Sequence, residues 1–189
     1  MPFPNPMPHY WLLDACCALN LAASGNMEAI LRAPINGGVL QFLMTTMVVG
    51  EATSLRRGGS GDNAEMRDIF DWEIHFSSGL LQRTNAENPD ELSRYVSLAQ
   101  FLDDGEAMCV ALAAARVWGV VTDDIAAQKK MGSVPFLTTP ELIKNWAEFS
   151  SVDSTVLAGT LRRIREKARY GPPRIHPLHT WWTHAFNSQ

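Results

Sequence analysis

Short apolar runs alternating with helical stretches predict an α/β protein: a three-layer α/β/α sandwich around a central, mainly parallel sheet. Three observations lead there. "YWLL", "VLQFLMTT", "VVT" and "VPFLTT" are brief, uncharged runs of the kind buried on both faces of a parallel sheet. Longer stretches with helical spacing separate them. No internal repeat and no linker divides the chain, so residues 9–189 read as one domain behind a Pro-rich lead, residues 1–8, with 140–189 as a helical C-terminal extension.

The elements follow in order. "HYWLLDA" reads as a buried strand with Asp14 at or just past its end. "CCALNLAASG" turns helical, and Gly25 is its stop. "GGVLQFLMTTMVVGEATSLRRGG" begins as a strand and becomes a helix that runs to Arg57, before the loop "GGSGDN". Residues 64–89 are ambiguous: "DWEIHF" has some alternation and "TNAENPD" is a loop. "DELSRYVSLAQFL" predicts a helix with Asp90 as N-cap and Leu92, Tyr95, Val96, Ala99 and Leu102 on one face. "GEAMCVALAAARVWG" is a second helix, "VVTDD" a strand and its exit, "IAAQKKMG" a helix and "VPFLTT" a strand. "PELIKNWAEF" opens a helix with Pro140 in its first turn, and "SVDSTVLAGTLRRIREKARYG" continues helical to a basic end.

Composition excludes several classes. The 189 residues are 46% hydrophobic, as in a globular protein, and no apolar run is long enough to span a membrane. The first residues lack the basic and small-residue pattern of a secretory signal, and Cys16, Cys17 and Cys109 are odd in number with no CxxC spacing. Neither a disulfide framework nor a structural zinc site is expected, and a reducing cytoplasm fits. The net charge of −4 conceals a basic stripe, "LRRIREKARYGPPR", in which Arg162, Arg163, Arg165, Lys167, Arg169 and Arg174 face a single acid, Glu166. Such a stripe is either a solvated helix face or a phosphate-contacting surface.

The acids carry the chemistry. "LDDGEAMCVALAAARVWGVVTDD" has carboxylates at both ends and one charge, Arg116, between Ala107 and Val121. Ligands of open parallel sheets bind beyond the carboxyl ends of the strands. Asp14 follows "YWLL" and Asp123 and Asp124 follow "VVT"; if those strands are neighbours, their acids converge. Glu106 lies in the first turn of the helix leading into the second of them, and Glu51 on a helix flanked by Met47, Val48 and Leu55. Each acid alone has an ordinary reading as a helix cap, a dipole partner or a turn residue. Together they would repel one another unless a cation neutralised them, and oxygen-only donors suit magnesium or manganese.

"LLDACCALNLAASG", "GEATSLRR", "LDDGEAMCVALA" and "VVTDD", in this order, resemble the PIN-domain family, in the branch whose third acid opens a "DxGEA" helix. The resemblance covers residues 9–135, and the tail "VPFLTTPELIKNWAEF" is similar to that branch as well. It implies a magnesium- or manganese-dependent ribonuclease that hydrolyses RNA phosphodiester bonds, acting as the toxin of a toxin–antitoxin pair, with a small antitoxin protein and a second copy of itself as partners. Carried over by position, Asp14, Glu51, Glu106 and Asp124 match the catalytic acids. Metal would be held by Asp14, Glu106 and Asp124, or by Asp123 in place of Asp124. Asn20 and Thr122 match supporting residues. Arg56, Arg57, Arg162, Arg163 and Arg165 are candidates for RNA phosphates. One departure is plain: the base usual soon after the fourth acid is delayed to Lys129 and Lys130.

Other patterns fare worse. His176, His179 and His184 in "HPLHTWWTH" have no acid or cysteine close in sequence, and the paired Trp181 and Trp182 read as tail packing or as a stacking platform for bases. "GGSG" lacks the Lys-Ser/Thr of a phosphate cradle. The alternative from another class is a PIN-like scaffold that binds RNA or a protein without cutting; it predicts a degraded acid set. A structure-specific DNA nuclease is disfavoured by the absence of a long basic insertion.

Overall fold

The computed structural model describes residues 7–57 and 67–188, and the loop "GGSGDN" and most of the Pro-rich lead lie outside them. Five parallel strands form the central sheet in the order β5-β2-β1-β6-β7: β1 (Tyr10–Leu13), β2 (Gln41–Thr45), β5 (Leu81–Thr84), β6 (Gly119–Val121) and β7 (Phe136–Leu137). Helices cover both faces, giving the three-layer α/β/α sandwich. On one side α6 (Asp104–Arg116) lies across β1, β2 and β6, with α3 (Thr46–Glu51), α5 (Pro89–Leu98) and α7 (Ile125–Lys130) against it. On the other, α1 (Ala15–Ser24) packs on α8 (Thr139–Phe149) and α9 (Ser154–Lys167), α2 (Met27–Arg32) on α8, and α10 (His179–Asn187) on α9. No helix among the described residues is long and apolar enough to cross a membrane.

The central strands are buried because both faces are covered. Trp11, Leu12, Leu13, Leu43, Met44, Val120 and Val121 are almost wholly excluded from water. The strand order also creates a place for a ligand. From β1 the chain passes to β2 and then β5 on one side, and later crosses to β6 and β7 on the other. The order therefore reverses between β1 and β6, where Leu13 pairs with Val121. In doubly wound sheets the crevice at such a reversal, beyond the carboxyl ends of the strands, is where ligands sit. The residues next in sequence at that point are Asp14 and Thr122.

Several elements differ from the sequence expectation, each for a local reason. The helix expected to run to Arg57 ends at Glu51, and β3 (Ser54–Arg56) pairs antiparallel with β4 (Arg67–Ile69) in a separate two-stranded sheet. Leu55 is therefore on a strand, not on the helix of Glu51. The ambiguous stretch contains β4, α4 (Glu73–Ser77) and β5. In α5 the N-cap is Asn88, whose side chain accepts from the Glu91 amide, while Asp90 lies in the first turn. The inward side of that helix carries Glu91, and Leu92 and Val96 face solvent, because Glu91 pairs with Arg116 of α6 rather than leaving the contact to hydrophobes. α8 and α9 are two helices parted at Ser151, which takes a left-handed φ of 47°.

Candidate functional site

β1 delivers Asp14 as the N-cap of α1, where its Oδ1 accepts from the Ala15 amide at 2.6 Å. The backbone amide of Asp14 bonds the Val121 carbonyl, which fixes it beside the end of β6. Thr122, fully buried there, donates its hydroxyl to Asp14 Oδ2 at 3.1 Å and accepts the Asp124 amide at 3.0 Å. One hydroxyl thus ties Asp14 to Asp124. Asp14 is 3% exposed, and burial, together with the nearby charge of Asp123, holds its carboxyl above the ordinary value.

The two acids after β6 turn in different directions. Asp123 Oδ2 accepts from Asn20 Nδ2 at 3.1 Å and from the Cys17 thiol at 3.3 Å, and its Oδ1 accepts from the Thr139 amide at 3.0 Å. Asp124 caps α7 through Ala127 N and acts on Glu106. Asn20 therefore holds Asp123, and Thr122 holds Asp14 and the Asp124 backbone, in place.

Glu106 enters from α6. Its carboxyl is pushed up to about 7, first by burial and then by the negative charges of Asp14, Asp124 and Asp103. Asp14 and Asp124, from two further elements, are thus within electrostatic reach of Glu106. Glu51, the last residue of α3, accepts the Gly105 amide at 2.9 Å, so it meets the same helix start one residue away from Glu106. The glycine of "DDGEA" has a steric reason, since a Cβ at Gly105 would overlap the Glu51 carboxylate. Cys109, one turn further along α6, is buried and feels Asp14, Glu51 and Glu106 together.

Carboxylate oxygens are donors of the kind a hard divalent cation takes. Among the described residues, however, the group of three ligand atoms lying within 4.8 Å of one another is Cys16, Cys17 and Asp123, not Asp14, Glu106 and Asp124. The charges acting most strongly on Glu106 are other acids, and the raised carboxyl is what like charges do when no positive group offsets them.

The basic candidates divide. Arg56 lies on β3, which touches α1 and α9. Arg57 pairs with Asp68 at 2.7 Å on the exposed hairpin. Arg162 and Arg165 are exposed on α9, and Arg162 bonds the Ser188 carbonyl. Arg163 points inward: it donates to the Ser24 carbonyl at 2.7 Å and covers Gly25, the left-handed end of α1. Its first role is to bind α9 to α1.

Sequence reasoning missed the contribution of the C-terminal segment. His176 Nδ1 accepts the Leu178 amide, so Nε2 carries the proton and donates to Thr138 Oγ1 at 3.2 Å. Burial lowers the His176 pKa, against the opposing charges of Glu141 and Asp123. Tyr170 is also close to Asp123, whose charge adds to burial in raising its hydroxyl. No spacing rule connects these residues to an acid some fifty positions earlier; the edge-to-face packing of Tyr170 on buried Trp182 does. Trp182 thus packs the tail. His179 Nδ1 bonds the Pro172 carbonyl and His184 is exposed, so the three tail histidines have separate surroundings.

Compared with protein-family profiles, curated proteins and solved structures, the chain matches none. Its function has to be argued from its own site.

Proposed function

We propose that this chain is a PIN-type endoribonuclease that uses magnesium or manganese to hydrolyse RNA phosphodiester bonds in the cytoplasm, as the toxin of a toxin–antitoxin pair. One observation supports the reading: near the point where the sheet order reverses, Glu106 is raised to about 7 by burial and by the charges of Asp14, Asp124 and Asp103. Four sequence motifs that resemble that family's supply Asp14, Glu51, Glu106 and Asp124, in the family's order.

Asp14, Glu106 and Asp124 would hold the ion, with Asp123 beside them. When bound, it supplies a Lewis acid for the phosphoryl oxygen and lowers the pKa of attached water. The rest falls to the chain's own groups. Thr122 keeps Asp14 and Asp124 in register through its hydroxyl. Asn20 does the same for Asp123. Glu51, anchored on the Gly105 amide, stands at the helix start to accept a hydrogen bond from the attacking water. Arg56, Arg162 and Arg165 offer positive charge to flanking phosphates on the β3 and α9 side. An antitoxin would neutralise the acidic edge by inserting a basic side chain, and the toxin would work as a homodimer.

The test is cleavage of a mixed RNA pool with and without magnesium by the wild-type chain and by Asp14→Asn. Magnesium-dependent cutting by the wild type alone is expected. Equal cutting by both proteins overturns the assignment. No cutting by either moves the function to a scaffold that binds RNA or protein at the same edge.

A further inference from the structure

Beside the acidic pocket lies a second group of donors with different chemistry. Cys16 and Cys17 occupy adjacent positions in the first turn of α1, and their sulfurs and an Asp123 carboxylate oxygen all lie within 4.8 Å of one another. Both thiols already donate to carboxylates, Cys16 to Asp14 Oδ2 at 3.0 Å and Cys17 to Asp123 Oδ2 at 3.3 Å. Two sulfurs and an oxygen make a soft-to-borderline donor set, unlike the oxygen-only pocket next to it. A tetrahedral ion with Zn–S bonds of about 2.3 Å holds its ligands roughly 3.8 Å apart, so these atoms need to close in by less than a bond length.

A separate observation points to the same spot. Among the described residues, the hydroxyl of Tyr170 is the one buried side-chain polar atom without a hydrogen-bond partner. Buried hydroxyls are normally satisfied, and an orphan one commonly marks a place where a water or an ion belongs. Asp123, Cys17 and Cys16 all act on that hydroxyl, Asp123 both through its charge and as an acceptor that falls outside good hydrogen-bond geometry. Cys17 is wholly buried, whereas Cys16 is exposed at the start of α1.

We propose that Cys16, Cys17 and Asp123 form a binding site for one thiophilic divalent cation of the zinc or cadmium class, with a bound water in the fourth position hydrogen-bonded to Tyr170. On binding, two S–H bonds break and two metal–sulfur bonds form. Both protons leave to solvent, and Asp123 Oδ2 exchanges its thiol hydrogen bond for the metal. The proposal does not depend on the ribonuclease reading, and its test contains no RNA.

The experiment titrates the reduced, magnesium-free full chain with cadmium and follows thiolate-to-cadmium charge-transfer absorption in the ultraviolet. A band that saturates at one cadmium per chain is expected. Cys16→Ser and Cys17→Ala should each reduce it and weaken binding about tenfold or more, as should Asp123→Asn, while Cys109→Ala keeps it. Circular dichroism establishes that each variant is folded; Cys16→Ser changes an exposed side chain, so the test survives if Cys17→Ala does not fold. Absence of a band at stoichiometric cadmium overturns the proposal. So does a one-to-one band that persists in folded Cys16→Ser and Asp123→Asn.

Discussion

Two places among the described residues bury carboxylates, and they do so in opposite ways. Glu91 is 3% exposed yet stays ionised down to about 2, because Arg116 lies against it at 2.6 and 2.9 Å and the Glu87 amide bonds it as well. The same guanidinium reaches Thr84 Oγ1 and the Asn85 carbonyl. Every charge there has its partner inside the fold. At the sheet edge, Asp14 and Glu106 are raised instead, Glu106 to about 7, and their strongest charged neighbours are acids. The first cluster ties α5, α6 and β5 together. The second has no internal counter-charge among the groups acting on it and is tolerated by holding its protons to higher pH, the arrangement that the proposed cation site would use.

The largest effect that separates them is on stability. Arg116→Ala would leave Glu91 buried without a counter-ion and should cost about 3–5 kcal/mol in denaturant unfolding. Asp14→Asn removes a repelling charge but turns one acceptor oxygen into a donor, so the metal-free protein should lose no more than about 1–3 kcal/mol, less than Arg116→Ala. A loss below about 1 kcal/mol in Arg116→Ala would erase the contrast, since that is the range of an ordinary surface ion pair.

Stability against pH sharpens it next. Glu106 keeps its proton in the folded chain up to about 7, whereas its ordinary value is 4.5, so the metal-free protein should lose stability as pH rises from 4.5 to 7. Glu91 runs the other way: its contribution is present above 4.5 and is lost as pH falls towards 2. Thermal unfolding of Glu106→Gln should lack the first slope and keep the second, and an unchanged profile would dissociate Glu106 from the pocket.

Gly105→Ala is a smaller perturbation. The added methyl pushes the exposed Glu51 carboxylate off the Gly105 amide, so cleavage should fall about tenfold while stability changes by less than about 1 kcal/mol. Unchanged cleavage would remove Glu51 from the working set. Smallest of all, Arg162→Ala and Arg165→Ala should each lower the salt dependence of RNA binding, by about 0.7 in slope for each phosphate that the arginine neutralises. Slopes equal to the wild type would make the stripe a solvated face.

How far these two regions were legible in the sequence follows from the physics of each. The strand ends were legible: "YWLL" and "VVT" are buried on both faces, and their acids fall at adjacent strand ends once β1 pairs with β6. Gly25 and Pro140 mark helix boundaries by backbone conformation alone. The Glu91–Arg116 pair was not legible, because 25 residues separate its members and hydrophobic spacing placed Leu92 and Val96 on the inward face of α5. The β3–β4 pair escaped because its strands are only three residues long, one half-buried and one exposed throughout, with no alternation. Which way Asp123 and Asp124 turn was beyond any pattern. It depends on Asn20, Cys17 and the Thr139 amide, supplied by α1 and by the start of α8.

The most direct measurement is a titration of the Glu106 carboxyl carbon by NMR, with and without saturating magnesium. In the metal-free chain the carboxyl should titrate near 7, and magnesium should drive it down by more than a unit, since binding requires the ionised form. A carboxyl that titrates at its ordinary 4.5 and ignores magnesium would contradict the idea that these acids share one pocket and await a cation.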